Sequence, residues 1–157
     1  MGRAAEGLAD AERVLALYER IYGAESAAAA MAHNTVGGLL NSMGHAADAL
    51  PHMRAEYTIL RALRGSNHRE TARAAQNLAV LIDNALGPSG GDEAEALFRE
   101  ALATGTSLYG AEHPSLVSFR SNYARFLMRR NRDREAMAVL VDAGMAAGMG
   151  RATDPTY

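Results

Sequence analysis

The sequence contains no cysteine, no lysine and no tryptophan. Without cysteine there is no disulfide, no thiolate nucleophile and no cysteine-ligated metal. No run of about 18 apolar residues is present, so no transmembrane helix is expected. All 16 basic residues are arginine, set against 18 acidic ones, a balance that favours neither nucleic acid nor membrane as a partner. The start, Met1 to Glu6, lacks the apolar core of a signal peptide, and Glu6 stands where a myristoylation motif wants Ser or Thr. The expectation is a soluble, intracellular, cytoplasmic protein. Also missing are G-x-S-x-G, a phosphate-binding glycine loop, H-E-x-x-H and a Ser-His-Asp arrangement. Neither an enzyme nor a cofactor is therefore expected.

What is present is helical periodicity. Val14, Leu17, Tyr18 and Ile21 recur as one face of a helix over 4–22, ended by Gly23. Further helices are predicted over 27–43, 46–63, 69–86, 92–109, 115–130 and 132–147, with Asp92 and Glu95 forming a capping-box-like start to the fifth. Pro51 lies near the start of its helix, where a missing N–H costs little. No stretch alternates with period two, so the protein reads as all-α, with about seven helices and a flexible tail over 148–157.

The helices repeat. Gly-Ser-Asn-His at 65–68 is restated as Gly-Ala-Glu-His at 110–113, and Gly23, Gly65 and Gly110 are separated by 42 and 45 residues. Such a period is the signature of a solenoid. Counting on from each glycine, Val36, Leu78 and Tyr123 correspond, followed by the small residues Gly37, Ala79 and Ala124. Leu39, Leu81 and Phe126 then align, as do Leu40, Ile82 and Leu127. In the second helices Ala49, Ala94 and Ala136 correspond, with Met53, Phe98 and Leu140 one turn on. A small residue at one place in three copies is what close-packed helices need. The three extra residues fall in the loop at Pro88-Ser89-Gly90-Gly91, where insertion costs little. One domain over 1–157 results: a half repeat at 4–22, then repeats at 27–63, 69–109 and 115–147.

The segments Asn77-Leu78-Ala79-Val80-Leu81-Ile82, Asp92-Glu93-Ala94-Glu95-Ala96-Leu97-Phe98 with Ala101-Leu102, and Leu108-Tyr109-Gly110-Ala111-Glu112-His113-Pro114 carry a family resemblance. The pattern resembles the tetratricopeptide repeat, in the longer version of roughly 42 residues found in kinesin light chains. Gly37-Gly38, Pro51 and Asn131 depart from the family pattern. The resemblance implies a right-handed α-solenoid of antiparallel helix pairs. It also implies a non-catalytic scaffold or adaptor that binds a peptide or helix of another protein in a concave groove lined by first helices. Carried onto this chain, the groove positions include Asn34 and Asn41 in the first repeat and Arg73, Gln76, Asn77, Val80, Asp83 and Asn84 in the second. Ser121, Asn122, Arg125 and Arg129 follow in the third. Carboxamides there offer both donors and acceptors to a peptide backbone, and arginines offer forks for carboxylates or phosphates.

A second local feature is the arginine run Arg120, Arg125, Arg129, Arg130, Arg132 and Arg134; residues 113–157 hold seven Arg against four acids. RNA contact through this run is a weaker alternative, because no aromatic platform interleaves with it. His68 and His113 occupy equivalent connector positions and read as turn or cap residues. His45 and His52, with Glu56 one turn beyond, lack a third histidine at helical spacing, and no metal site is expected. Apolar residues on the first and last helices, among them Leu17, Ile21, Met137, Leu140, Val141 and Met145, have a neighbour on one side only. The alternative function they suggest is a structural subunit that self-associates or packs into an assembly through its ends.

Overall fold

The computed structural model describes residues 2–149, with side chains from 4 to 141. They form seven α-helices: α1 (Gly2–Tyr22), α2 (Ala27–Ser42), α3 (Ala46–Arg64), α4 (Arg69–Leu86), α5 (Gly91–Tyr109), α6 (Leu116–Met128) and α7 (Asp133–Met149), with a single turn of 3-10 helix at Gly87–Gly90. No strand occurs among the described residues. The last helix continues two residues past the expected boundary at 147, and the expected tail from 150 onward lies outside the described residues.

The connectors follow from local chemistry. Gly23, Gly65 and Gly110 have φ of 90°, 81° and 83°, a region that penalises any side chain. Each donates its N–H to the carbonyl four residues back and closes its helix. Two connectors then use the same side-chain device: Nδ1 of His68 accepts from the Glu70 N–H, and Nδ1 of His113 accepts from the Ser115 N–H, both at 3.2 Å. At α2 the hydroxyl of Ser26 does this work, accepting from the Ala29 N–H at 3.1 Å.

Each helix packs against the next, and α4 also touches α6, so α2, α4 and α6 form one layer and α1, α3, α5 and α7 the other. The small positions bring the layers together: Gly37, Ala79 and Ala124 are buried, and a Cβ on Gly37 would lie 3.0 Å from Cε of Met53. Phe98 stacks on Tyr123 at 5.7 Å and meets Phe126 at 5.2 Å. Burying such a ring stabilises by about 1.5–3 kcal/mol. Leu140 corresponds to Phe98 but is 41% exposed, because no further helix covers it among the described residues. Leu39 is likewise only half-buried where Leu81 and Phe126 are buried.

Three local expectations need correction. Asp92 does not cap α5: the helix begins at Gly91, with Gly90 as the capping residue and no side-chain bond, and Asp92 and Glu93 sit in the first turn. There they complement the positive end of the helix dipole. The Pro88–Gly91 segment is not a loose loop either; Gly90 is buried, and a Cβ on it would fall 2.5 Å from Cγ2 of Ile82. Pro51 lies five residues inside α3, beyond the first turn, so its missing N–H removes an intrahelical bond.

Candidate functional site

The face built by α2, α4 and α6 carries the expected groove residues. Most of them line depressions between α4 and α6. One depression, of about 550 Å³, is walled by Arg69, Arg73, Asn77, Ser118, Phe119 and Tyr109, with Gln76 at its floor. A smaller one, of about 60 Å³, lies further along the same helices between Val80, Asp83, Asn84, Asn122, Arg125 and Arg129. The α-helical spacing of 77, 80 and 84 on α4 and of 118, 122, 125 and 129 on and just after α6 puts them in facing rows.

Part of the set is also spent on holding the fold. Asn34 turns inward and donates from Nδ2 to Oε1 of Glu56 at 2.9 Å, while Nη2 of Arg73 donates to the same oxygen at 3.1 Å. Glu56 is 1% exposed, and its Oε2 has no hydrogen-bond partner. Burial pushes its carboxyl above the ordinary range, and Arg73 and Asn34 offset part of that push. Asp83 is clamped by two arginines, Nη1 of Arg129 at 2.9 Å and Nη1 of Arg130 at 2.6 Å. Gln76 is buried, and a ligand in the groove would meet it only as floor. Asn41 is exposed but lines neither depression, and Ser121, half-buried, lines neither.

The arginine run is mostly structural. Arg120 is buried and donates to the carbonyl of Ala111 at 2.7 Å. Arg130 lies 3.8 Å over the Phe126 ring and also donates to the Gly87 carbonyl, tying the 3-10 turn to α6. Arg132 joins the loop before α7 to α5 through both oxygens of Glu95 and to Glu135 beside it. The hydrogen bonds from Arg132 hold the Glu95 carboxyl below its ordinary range. Among the described residues only the side chains of Arg125 and Arg134 of the six make no hydrogen bond or ion pair.

Sequence reasoning missed Glu56, Arg69, Tyr109 and Phe119 as parts of this face. A signal for Glu56 exists in the repeat itself: by the register that aligns Ala49 with Ala94, Glu56 stands where the next copy has Ala101. His52 points to His33 on α2, not to His45, which instead lies 3.5 Å from Asp48. No cluster of three or more metal-ligating side chains and no helix apolar enough to cross a membrane occur among the described residues.

Comparison with known proteins agrees with this architecture. A tetratricopeptide repeat family model matches residues 91–115. No curated protein matches. The solved structure of BtubC (BKLC) from P. vanneervenii is 18% identical, with a TM-score of 0.80 over 99% of this chain and 61% of that one. Kinesin light chain TPR-like repeats from Podosopora anserina are 19% identical, with a TM-score of 0.81 over 98% of this chain and 72% of that one. A point variant of the latter is 20% identical, with a TM-score of 0.80 over the same shares. This chain thus spans less than two thirds of BtubC. From Gly2 to Met149 it has the all-helical fold of kinesin-light-chain TPR-like repeats, and at 91–115 it matches the tetratricopeptide repeat itself.

Proposed function

We propose that the chain is a single non-catalytic adaptor domain, a half repeat followed by three repeats, that docks a peptide or helical segment of another cytoplasmic protein along the α4–α6 groove. The observation that carries this reading is the division of labour among polar groups on one face. Asn34, Asp83, Arg129 and Arg130 are engaged within the fold. Asn77, Ser118, Asn122 and Arg125 line the depressions, and none of their side chains bonds to another side chain among the described residues. Polar side chains in a row, of which only the Ser118 hydroxyl is already bonded, to the Ser115 carbonyl, suit an extended backbone, and the half-buried Phe119 and Tyr109 give an apolar anchor point beside them. The test is capture from source lysate with the intact chain and with the Asn77→Ala/Arg125→Ala variant. Loss of a partner in the variant, with the helical CD signal unchanged, supports the groove; a partner held equally by both overturns it.

Apolar exposure at the ends favours a second reading, packing into an assembly through α1 and α7. Leu17 and Ile21 on α1 are 40% and 58% exposed, and Met137 on α7 is 59% exposed. Oligomers independent of concentration in light scattering support it; a monomer at all concentrations removes it. RNA contact loses its basis, because four arginines of the run are already bonded within the chain.

A further inference from the structure

A histidine pair sits where the first three helices meet. Nδ1 of His33 on α2 lies 3.0 Å from Nδ1 of His52 on α3, with ring centroids 5.3 Å apart. Nε2 of His33 faces Oε1 of Glu19 on α1 at 3.6 Å. The side chain of His33 is 14% exposed and His52 is half-buried, so the contact is partly shielded from water. The helices approach closely at this point because residue 37 has no side chain: a Cβ there would lie 3.4 Å from Cβ of His52. Glu56 lies one turn along α3 from His52, and its carboxylate is taken by Asn34 of α2 and Arg73 of α4.

We propose that His33 and His52 form a proton-operated latch across the α2–α3 seam, closed at neutral pH and forced open when both imidazoles are charged. The carboxylate of Glu19 favours the proton of His33 on Nε2, which leaves a lone pair on its Nδ1. His52 then donates its Nδ1–H to that lone pair. One added proton on Nε2 of His52 leaves the bond in place. A second has only Nδ1 of His33 to occupy; two N–H groups then oppose each other across 3.0 Å, and two positive charges share a partly shielded site. The rings must part, and with them the seam that carries the Asn34–Glu56–Arg73 bridge. Burial and the neighbouring His52 both lower the affinity of His33 for a proton, with Glu19 opposing them.

Because that affinity is lowered, stability from the latch is complete above the ordinary histidine value of about 6.5 and is lost as the pH falls below it. Unfolding then takes up protons, so the folding equilibrium constant falls as the pH drops below about 6.5.

The experiment is denaturant unfolding of the intact chain, followed by CD at steps from pH 7.5 to 5, for wild type, His52→Gln and His45→Gln. In His52→Gln the amide oxygen can accept from a protonated His33, so the drop is expected to shrink to background, while His45→Gln retains the wild-type drop. A wild-type curve that falls no more steeply than that of His52→Gln overturns the latch; Glu56, whose contribution runs the opposite way with pH, is present in both. Should His52→Gln fail to fold, NMR titration of the wild-type imidazoles decides. Two separated steps for His33 and His52 support it, and two independent titrations near the ordinary value overturn it. These readouts need no partner, so the latch stands or falls independently of the groove.

Discussion

Glu56 is the residue whose chemistry is least like its position. The repeat register gives it an alanine-sized place, yet it is a carboxylate with one oxygen bonded twice and the other not at all. Because burial raises its folded-state pKa, its share of stability is intact below the ordinary carboxylate value of about 4.3 and is lost as the pH rises through the raised value. Arg73→Ala removes the charged partner that makes ionisation tolerable. Arg73 is half exposed, which weakens the pair by solvent screening, so the expected loss at pH 7 is about 1 kcal/mol rather than the several of a sealed pair. Urea titrations at pH 7 and pH 4 check it: the loss should shrink at pH 4, where Glu56 takes a proton, and Glu56→Gln should restore the Arg73→Ala variant at pH 7. A loss equal at both pH values would mean that Arg73 acts through packing of its stem.

At the scale of the helix, adjacent glycines separate two physical roles. Gly37 is the contact point of α2 with α3, while a Cβ on Gly38 would meet nothing within 4 Å. Gly38→Ala should therefore stabilise by about 0.5–1 kcal/mol through helix propensity and reduced unfolded-state freedom. Gly37→Leu should cost about 1–3 kcal/mol by overpacking against Met53 and His52. Thermal melting of the two variants should move in opposite directions. At the connectors, Gly110→Ala should cost about 1–3 kcal/mol, since φ of 83° with ψ of 155° is a region that residues with a Cβ avoid. These places were legible in the sequence because spacing alone fixes them: the marker glycines and the buried Val36, Leu78 and Tyr123 all recur in register. The Arg129–Asp83 and Arg132–Glu95 pairs were not, because each joins residues far apart in the chain whose meeting depends on how two helices stack. The family resemblance implied groove positions for Gln76 and Asn34, but a face is wider than its solvent-exposed strip: Gln76 is buried and Asn34 turns to Glu56.

Across the whole molecule each helix touches only near neighbours, so stability is distributed along the stack and declines toward its ends. α4 buries a dense set including Ala75, Leu78, Ala79, Leu81 and Ile82, whereas Leu15 is the one buried residue among the described side chains of α1. Native-state hydrogen exchange should accordingly show the strongest protection in α4 and α5 and the weakest in α1, with protection graded between them. Uniform protection would show instead that the stack opens only as a whole. The two histidine turns at 65–68 and 110–113 add a consequence for how such a chain can lengthen. Both present the same glycine conformation and the same imidazole bond, so the 45 residues from Gly65 to Tyr109 form a cassette whose exit reproduces its entrance. A second copy spliced in at Gly110 would meet at each junction the joint it already has, and the molecule would grow by one storey without redesign of either floor.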